Sequence, residues 1–191
     1  RVLFRSTPYV WRFDDVRPRL LEAAELISAD AADRRTLMLE NPSMRGRRRI
    51  TEALYTGLQC IMPGEVAKPH RHTPSALRMV IESEGAHSEV DGEPVDMRPG
   101  DLILNQSWHW HGHANEGAGP HISMTCLDMP LTRFLGPLFT ASYVPNPVPY
   151  GRPDRARLAP YAPTLRRSGS PAAAPLPPSP ASRSTTLLAC A

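Results

Sequence analysis

Histidine is the residue type that offers the most chemistry in this sequence, and five of its seven histidines fall in two short segments. Residues 64–78 hold two of them and residues 108–115 hold three: His70, His72, His109, His111 and His113. Imidazole nitrogens suit Fe(II), Zn(II), Cu(II) or Ni(II) better than Mg(II) or Ca(II). The two segments are therefore predicted to be the halves of one transition-metal site.

His70 and His72 are two residues apart, so on an extended strand both side chains point to the same face. A third ligand has to come from another strand, and the three histidines of the second segment are the candidates. Those three also share a face, so strand parity does not choose between them. The alternative interpretation is surface histidines, or core histidines satisfied by hydrogen bonds. Clustering beside turn glycines favours the metal site.

The elements that would position these histidines are short strands separated by turns, beginning after Thr51. Asp91-Gly92 predicts a tight hairpin that leads to Val95. Regular short strands with glycine and proline turns are typical of an antiparallel sandwich or barrel. The predicted strands are 54–62, 75–83, 102–104 and 122–127.

Residues 1–50 are predicted to form a helical and loop arm in front of the barrel. Apolar residues recur at helical spacing over residues 18–27 and predict a first helix there. Ser28 has the residue type of an N-cap and predicts a second helix from Ala29 to Met38.

The barrel is predicted to span residues 51–140. Residues 141–167 are rich in proline and predicted to be extended, and residues 168–191 are of low complexity and predicted to be disordered. The sequence starts at Arg1 rather than at a methionine. We therefore expect a fragment of a longer protein, with a C-terminal tail of the kind that a shifted reading frame or a truncated gene would give.

Charge and cysteine content exclude some partners and compartments. The net charge is +3 with mixed signs, and the basic run Arg45–Arg49 is interpreted as a solvated surface loop, so no nucleic-acid partner is predicted. Three widely spaced cysteines argue against a disulfide framework and for the reducing cytoplasm. No apolar run approaches the roughly 18–20 residues of a membrane span.

The spacing of Gly64, His70, His72 and Gly85, followed by a second run from Gly100 to Asn115, resembles the two motifs of the cupin family. This resemblance implies an all-β double-stranded β-helix, or jelly-roll, barrel and selects His111 as the third ligand. The glutamate that usually joins the histidines is absent, and Arg78 stands in its place. Gln106 and Trp108 also replace the usual proline and glycine.

Arg78 changes the expected chemistry of the site. Its strand parity matches that of His70 and His72, so it should point into the same cavity. Three neutral ligands leave Fe(II) its full charge and open positions. A substrate carboxylate held by the guanidinium fork fits this arrangement. The alternative is an ion pair between Arg78 and Glu82 or Glu84.

More specifically, the sequence resembles the gentisate 1,2-dioxygenase family and its relatives that act on salicylate and 1-hydroxy-2-naphthoate. The resemblance implies Fe(II) enzymes with two cupin barrels in one chain that assemble as homotetramers. It also implies insertion of both atoms of O2 between the ring carbons that bear the carboxyl and hydroxyl groups. It runs over residues 8–140 and is carried by Pro8–Arg12, Glu40–Pro42, Tyr55–Gln59, His70–Arg78, Val90–Glu93, Pro99–Asp101, Trp110–His113 and Leu127–Leu131.

The same resemblance implies roles for individual residues. The iron ligands would be His70, His72 and His111. Arg78 would bind the substrate carboxylate, and His113 would act as a hydrogen-bond or proton partner of substrate or oxygen. Further pocket residues would be Gly57, Gln59, Tyr55 and an arginine of the pair Arg34 and Arg35.

Three positions depart from the family pattern. Thr125 stands where an aspartate is usual, Tyr55 where a tryptophan is usual, and His109 replaces a small polar residue and is expected to compete for the metal. The second barrel is absent from the sequence.

The expected function is cleavage of a hydroxylated aromatic acid to a maleylpyruvate-type product. The alternative is a truncated or non-catalytic cupin that binds such an acid without turnover, and an isomerase or oxalate-type cupin is disfavoured by the missing glutamate.

Overall fold

The computed structural model describes residues 6–29, 31–32 and 34–142, and these form two antiparallel five-stranded sheets with helices at their margins. One sheet has the order β1-β2-β9-β4-β7 and the other β10-β3-β8-β5-β6. The all-β barrel expected from the sequence is confirmed. The strands are β1 Thr36–Met38, β2 Tyr55–Ile61, β3 Val66–His72, β4 Ala76–Glu82, β5 Ala86–Val90, β6 Glu93–Asp96, β7 Leu102–Asn105, β8 His111–Asn115, β9 His121–Leu127 and β10 Thr140–Ser142.

The helix α1, Phe13–Leu26, covers the outer face of the first sheet. It begins earlier than the sequence predicted, and Pro18 lies inside it rather than in its first turn. Leu20 is fully buried against Leu58 and Ile122 of the sheet, so the helix is held by its apolar stripe. Arg17 adds a bidentate ion pair to Glu82 at the end of β4, with N–O distances of 2.7 and 3.0 Å.

The second predicted helix, Ala29–Met38, is wrong. The last three residues of that range form strand β1 instead, which pairs with β2 so that Thr36 lies opposite Gln59. Arg34 and Arg35 have φ of 85° and 41°, a backbone conformation that interrupts a right-handed helix. Pairing at the edge of the sheet therefore overrides local helix propensity. It also carries the sheet into the predicted N-terminal arm.

The predicted hairpin at Asp91-Gly92 is confirmed, although it joins β5 to β6 rather than following the strand at 75–83 directly. Both turn residues have positive φ, 49° and 77°, as a two-residue type I′ turn requires. Strand β5 is absent from the prediction because Ala86–Val90 contains too little apolar alternation to mark it. Between β9 and β10 the structure adds a short helix α2, Met129–Leu135. Residues 141–142 of the predicted extended segment 141–167 belong to β10, and the rest of that segment and the predicted tail 168–191 lie outside the described residues.

The space between the sheets is divided into an apolar part and a polar part. Val80, Ala86, Met97 and Ile103 form a buried apolar cluster that joins the two sheets. Two positions before Val80 on β4, Arg78 points to the same inner face. The apolar cluster thus closes one part of the barrel and leaves the rest for polar side chains.

A buried ion pair ties the segment before β1 to the turn before β3. Arg35 is 4% exposed and donates hydrogen bonds to the Glu65 carboxylate and to the carbonyls of Ile27 and Cys60. Desolvation would raise the pKa of Glu65, but hydrogen bonds from Arg35 and from the main-chain N–H of Met62 outweigh it and hold this pKa below its usual value. Arg35 is therefore committed to the scaffold.

Replacing Glu65 by glutamine should lower the free energy of unfolding at pH 7 by about 2–4 kcal/mol, because it leaves a buried guanidinium without its counter-charge. The lowered pKa means that the contribution of Glu65 is present above pH 4.5, the ordinary value, and is lost as the pH falls through the folded-state value. Denaturant unfolding across pH measures both effects.

The matched control is Glu22→Gln, which removes the exposed i,i+3 partner of Arg19 and should change the free energy of unfolding by less than about 0.5 kcal/mol. Equal stability of Glu65→Gln and the unsubstituted protein at pH 7 would contradict the structural role of this pair.

Candidate metal centre

Strands β3 and β8 bring three histidines together inside the barrel. The two strands are antiparallel neighbours, and His70 lies directly opposite His111. The potential ligand atoms of His70, His72 and His111 all lie within 4.8 Å of one another, and all three residues are buried. Of the three histidines that parity left open, the structure places His111 beside the pair on β3.

Hydrogen bonds fix which ring nitrogen is available in two of these histidines. His72 Nδ1 lies 2.7 Å from the carbonyl of Pro74, and His111 Nδ1 lies 2.9 Å from the carbonyl of His109. A carbonyl oxygen only accepts, so each Nδ1 carries the proton and each Nε2 presents its lone pair. Orientation of this kind is the usual support of metal-binding histidines. The donor set therefore fits a transition metal.

Burial also keeps these rings in the form that binds a metal. Desolvation lowers the pKa of His111 to about 3, although the hydrogen bond to the His109 carbonyl acts in the opposite direction. Desolvation and the positive charge of Arg34 likewise lower the pKa of His70 and of His72. Neutral imidazole is the ligand form, so the site is ready to bind a cation at pH 7 without releasing protons.

The segment before His111 is tied to the β5–β6 turn and to β3. Asp91, at the β5–β6 turn, accepts a hydrogen bond from Trp110 N–H at 2.8 Å and binds His109 Nδ1 with its other carboxylate oxygen. Trp108 N–H donates to the carbonyl of His72 at 2.8 Å. His109, the expected competitor for the metal, lies outside the cluster of three histidines, and its Nδ1 is bound to Asp91.

Arg71 completes this support from the outer side of β3. Its guanidinium lies 4.3 Å from the ring centroid of Trp108 and 4.6 Å from that of Trp110. Trp108 has φ of 65°, which is uncommon for a bulky residue. The cation–π contacts stabilise this backbone conformation, which positions the His109 carbonyl that accepts the hydrogen bond from His111 Nδ1–H.

Arg78 faces the histidines as a buried cation. It is 5% exposed, and its guanidinium donates to Gln59 Oε1 and to Ser123 Oγ, both at 2.6 Å. No carboxylate in the described part of the chain pairs with it, so the alternative of an ion pair with Glu82 or Glu84 is wrong. Burial lowers the pKa of Arg78 to about 9, and it remains a cation at pH 7.

A cavity of about 750 Å³ extends from the three histidines and Arg78. Of the other residues predicted for the site, Arg34, Tyr55 and Gln59 line it. Gln59 also donates its amide to the carbonyl of Arg34 at 3.2 Å, so it braces the wall on which both lie.

The remaining predicted residues lie outside the cavity lining. Arg35 is held by Glu65. A Cβ on Gly57 would lie 2.5 Å from the side chain of Thr36, so this glycine makes room for a neighbour on the wall. His113 is 2% exposed, its ring lies 6.1 Å from that of His111, and neither ring nitrogen has a partner among the described residues.

Several residues that line the cavity are not predicted from the sequence. Arg47 and Arg48 are solvent-exposed, as predicted for a surface loop, yet both line the cavity, and so does Arg133 of α2. The basic run is the feature of the sequence that could have indicated these residues. Its position at the cavity, however, depends on how residues 41–54 pack against the sheet. Asn105 and Thr125 line the wall from β7 and β9.

Comparison with known proteins agrees with this architecture. Residues 57–127 match the family model described as "Cupin domain". The chain contains a cupin domain. All three potential metal ligands, together with Arg78, lie inside the matched range of the cupin domain.

The relatives include gentisate 1,2-dioxygenases, as the resemblance in sequence predicted. The chain is 44% identical to gentisate 1,2-dioxygenase 1 of Aquipseudomonas alcaligenes, in a match that covers 81% of this chain and 44% of that protein. For gentisate 1,2-dioxygenase of Ralstonia sp. the identity is 38%, with 86% and 47% covered. The chain thus spans less than half the length of these relatives.

The fold of the cupin domain also matches a solved enzyme structure. Salicylate 1,2-dioxygenase from Pseudaminobacter salicylatoxidans superposes with a TM-score of 0.72 at 32% identity, over 78% of this chain and 42% of that one. The same enzyme has been solved as adducts with gentisate, with a TM-score of 0.73. In the described part of this chain, no helix has the length and apolar character needed to cross a membrane.

Replacing Asp91 by alanine should weaken metal binding about tenfold, because it releases the segment whose carbonyl orients His111. Competition with a chromogenic chelator gives the dissociation constant for Co(II) or Zn(II). Asp96→Ala, in the same hairpin but exposed and paired with Arg98, is the control and should leave affinity unchanged. An unaltered constant in a folded Asp91→Ala protein would show that this contact does not support the ligand.

Proposed function

We propose that the cupin domain is the metal-binding part of an Fe(II)-dependent ring-cleaving dioxygenase that acts on a hydroxylated aromatic acid such as gentisate. The observation that carries the proposal is the pairing of three neutral histidines with a buried arginine that has no carboxylate partner among the described residues. The names of the relatives add support, because gentisate and salicylate are both hydroxylated benzoates.

The substrate would be held at two points. The guanidinium of Arg78 would bind its carboxylate through parallel charge-assisted hydrogen bonds, an arrangement that fixes the plane of the ring. Gln59 and Ser123 already hold one end of that guanidinium, so its orientation is set before the substrate arrives. Preorganisation of this kind lowers the entropic cost of reaching the reactive geometry.

Fe(II) held by the three histidines would supply the redox chemistry for O2 and the positive charge that attracts the adjacent carboxylate and phenolate oxygens. Neutral imidazoles leave that charge undiminished. His113 is proposed as a hydrogen-bond or proton partner of substrate or oxygen, since both of its ring nitrogens lack a partner among the described residues. The product would be a maleylpyruvate-type acid, formed by cleavage between the carboxyl- and hydroxyl-bearing carbons.

Oxygen uptake by the Fe(II)-loaded protein tests this function directly. Gentisate, salicylate and 1-hydroxy-2-naphthoate are added in turn, with product formation followed by absorbance. We expect O2 consumption and a ring-opened product with at least one acid. Binding of all three without O2 uptake would overturn the proposal and favour the alternative, a cupin that binds aromatic acids without turnover.

Arg78→Lys keeps the charge but removes the planar fork, so it should lower kcat/KM by about 10²-fold while metal affinity stays the same. Arg98→Lys changes an exposed arginine that lies outside the cavity and serves as the control. Equal losses of kcat/KM in the two variants would argue against a carboxylate-binding role for Arg78.

A further inference from the structure

The charged side chains that line the cavity are all arginines in the described part of the chain, and no aspartate or glutamate lies among the lining residues. The three histidines of the wall are neutral at pH 7. The cavity is therefore strongly positive before any metal binds. The lining arginines are Arg34, Arg47, Arg48, Arg49, Arg78 and Arg133.

The loop that carries Arg47 and Arg48 is shaped by Glu40 through the main chain. The Glu40 carboxylate accepts a hydrogen bond from the Arg48 N–H at 2.5 Å, and interactions with this N–H and those of Gly46 and Arg47 lower its pKa. Gly46 and Arg48 have φ of 79° and 54°, so the loop bends around that carboxylate. Glu40 thus binds the amides rather than the guanidinium groups of the loop.

Three of the arginines are available to a ligand at the mouth of the cavity. Arg49 is paired with Glu52 at 2.9 Å, whereas Arg47, Arg48 and Arg133 have no carboxylate partner among the described residues. They come from two separate elements, the loop after residue 44 and helix α2, and all three are exposed. Arg78, by contrast, is buried beside the histidines. One cavity therefore has an inner and an outer cationic region.

The size of the cavity leaves room for a ligand that reaches both regions. At about 750 Å³ it lies within the range of roughly 300–1,000 Å³ typical of sites for drug-sized ligands. A single ring with one carboxylate, held at Arg78, would leave the outer arginines in contact with solvent only. A second anionic group on the far side of the ring would meet them.

We propose that Arg47, Arg48 and Arg133 form an outer anion subsite, and that the cavity takes hydroxyaromatic acids with a second anionic substituent, such as sulfonate or carboxylate, remote from the first. This inference rests on the proposed function for the placement of the inner carboxylate at Arg78. It gives the basic run Arg45–Arg49 a role in substrate selection. Binding can be measured without turnover, so the two proposals can fail separately.

The test compares two ligands of the same shape on anaerobic, Zn(II)-loaded protein by calorimetry. One is 5-sulfosalicylate, and the other is 5-sulfamoylsalicylate, which keeps the carboxylate but carries an uncharged sulfonamide in place of the sulfonate. We expect the sulfonate to bind about tenfold more tightly than the sulfonamide, since it gains charge-assisted hydrogen bonds to the outer arginines. The preference should shrink as salt is raised, because these arginines are exposed.

Variants assign the preference to particular side chains. The double variant Arg47→Gln, Arg48→Gln and the single variant Arg133→Gln should each reduce the preference at least threefold and leave the affinity for salicylate unchanged. Arg45→Gln removes a charge from the same loop at an exposed position outside the cavity lining, and it should keep the full preference.

Equal affinity for the two ligands in the unsubstituted protein would overturn the inference. So would the same loss in Arg45→Gln, since that would reflect overall charge rather than a subsite. A retained sulfonate preference in a protein that oxidises none of the acids would refute the proposed activity and leave the outer subsite standing.

Discussion

The antiparallel pairing of β3 with β8 is the constraint on which the site depends, because it sets His70 opposite His111. The register shifts between Ala67 and His70, and this irregularity lies just before the two histidines of β3. Side chains alternate between the faces of a strand, so a slip of one residue would turn His111 away from its partners. The three-nitrogen cluster therefore depends on one register.

Burial of positive charge is handled in two different ways within the barrel. Arg35 is neutralised by Glu65, and the pair links the N-terminal segment to the turn before β3. Arg78 receives only neutral acceptors, from Gln59 and Ser123. A buried cation without a counter-charge favours binding of an anion. The first arrangement stabilises the fold, and the second suits a ligand.

The β5–β6 hairpin holds the candidate ligand His111 in orientation. Asp91 occupies a turn position with positive φ, which aspartate tolerates better than most side chains. From there its carboxylate reaches the His109–Trp110 segment just before β8, the strand that pairs with β5. The turn therefore has two roles, since it reverses the chain and it aligns the carbonyl that binds His111.

The sequence by itself determined the strands with clear apolar alternation, the Asp91-Gly92 turn and the presence of a histidine cluster, because these depend on spacing along the chain. Tertiary structure decided the rest. It made a strand of residues 36–38, placed Arg35 in the scaffold, bound His109 to Asp91 and brought the basic loop to the cavity. Each of these outcomes depends on a partner far away in the sequence, and local spacing carries no information about such a partner.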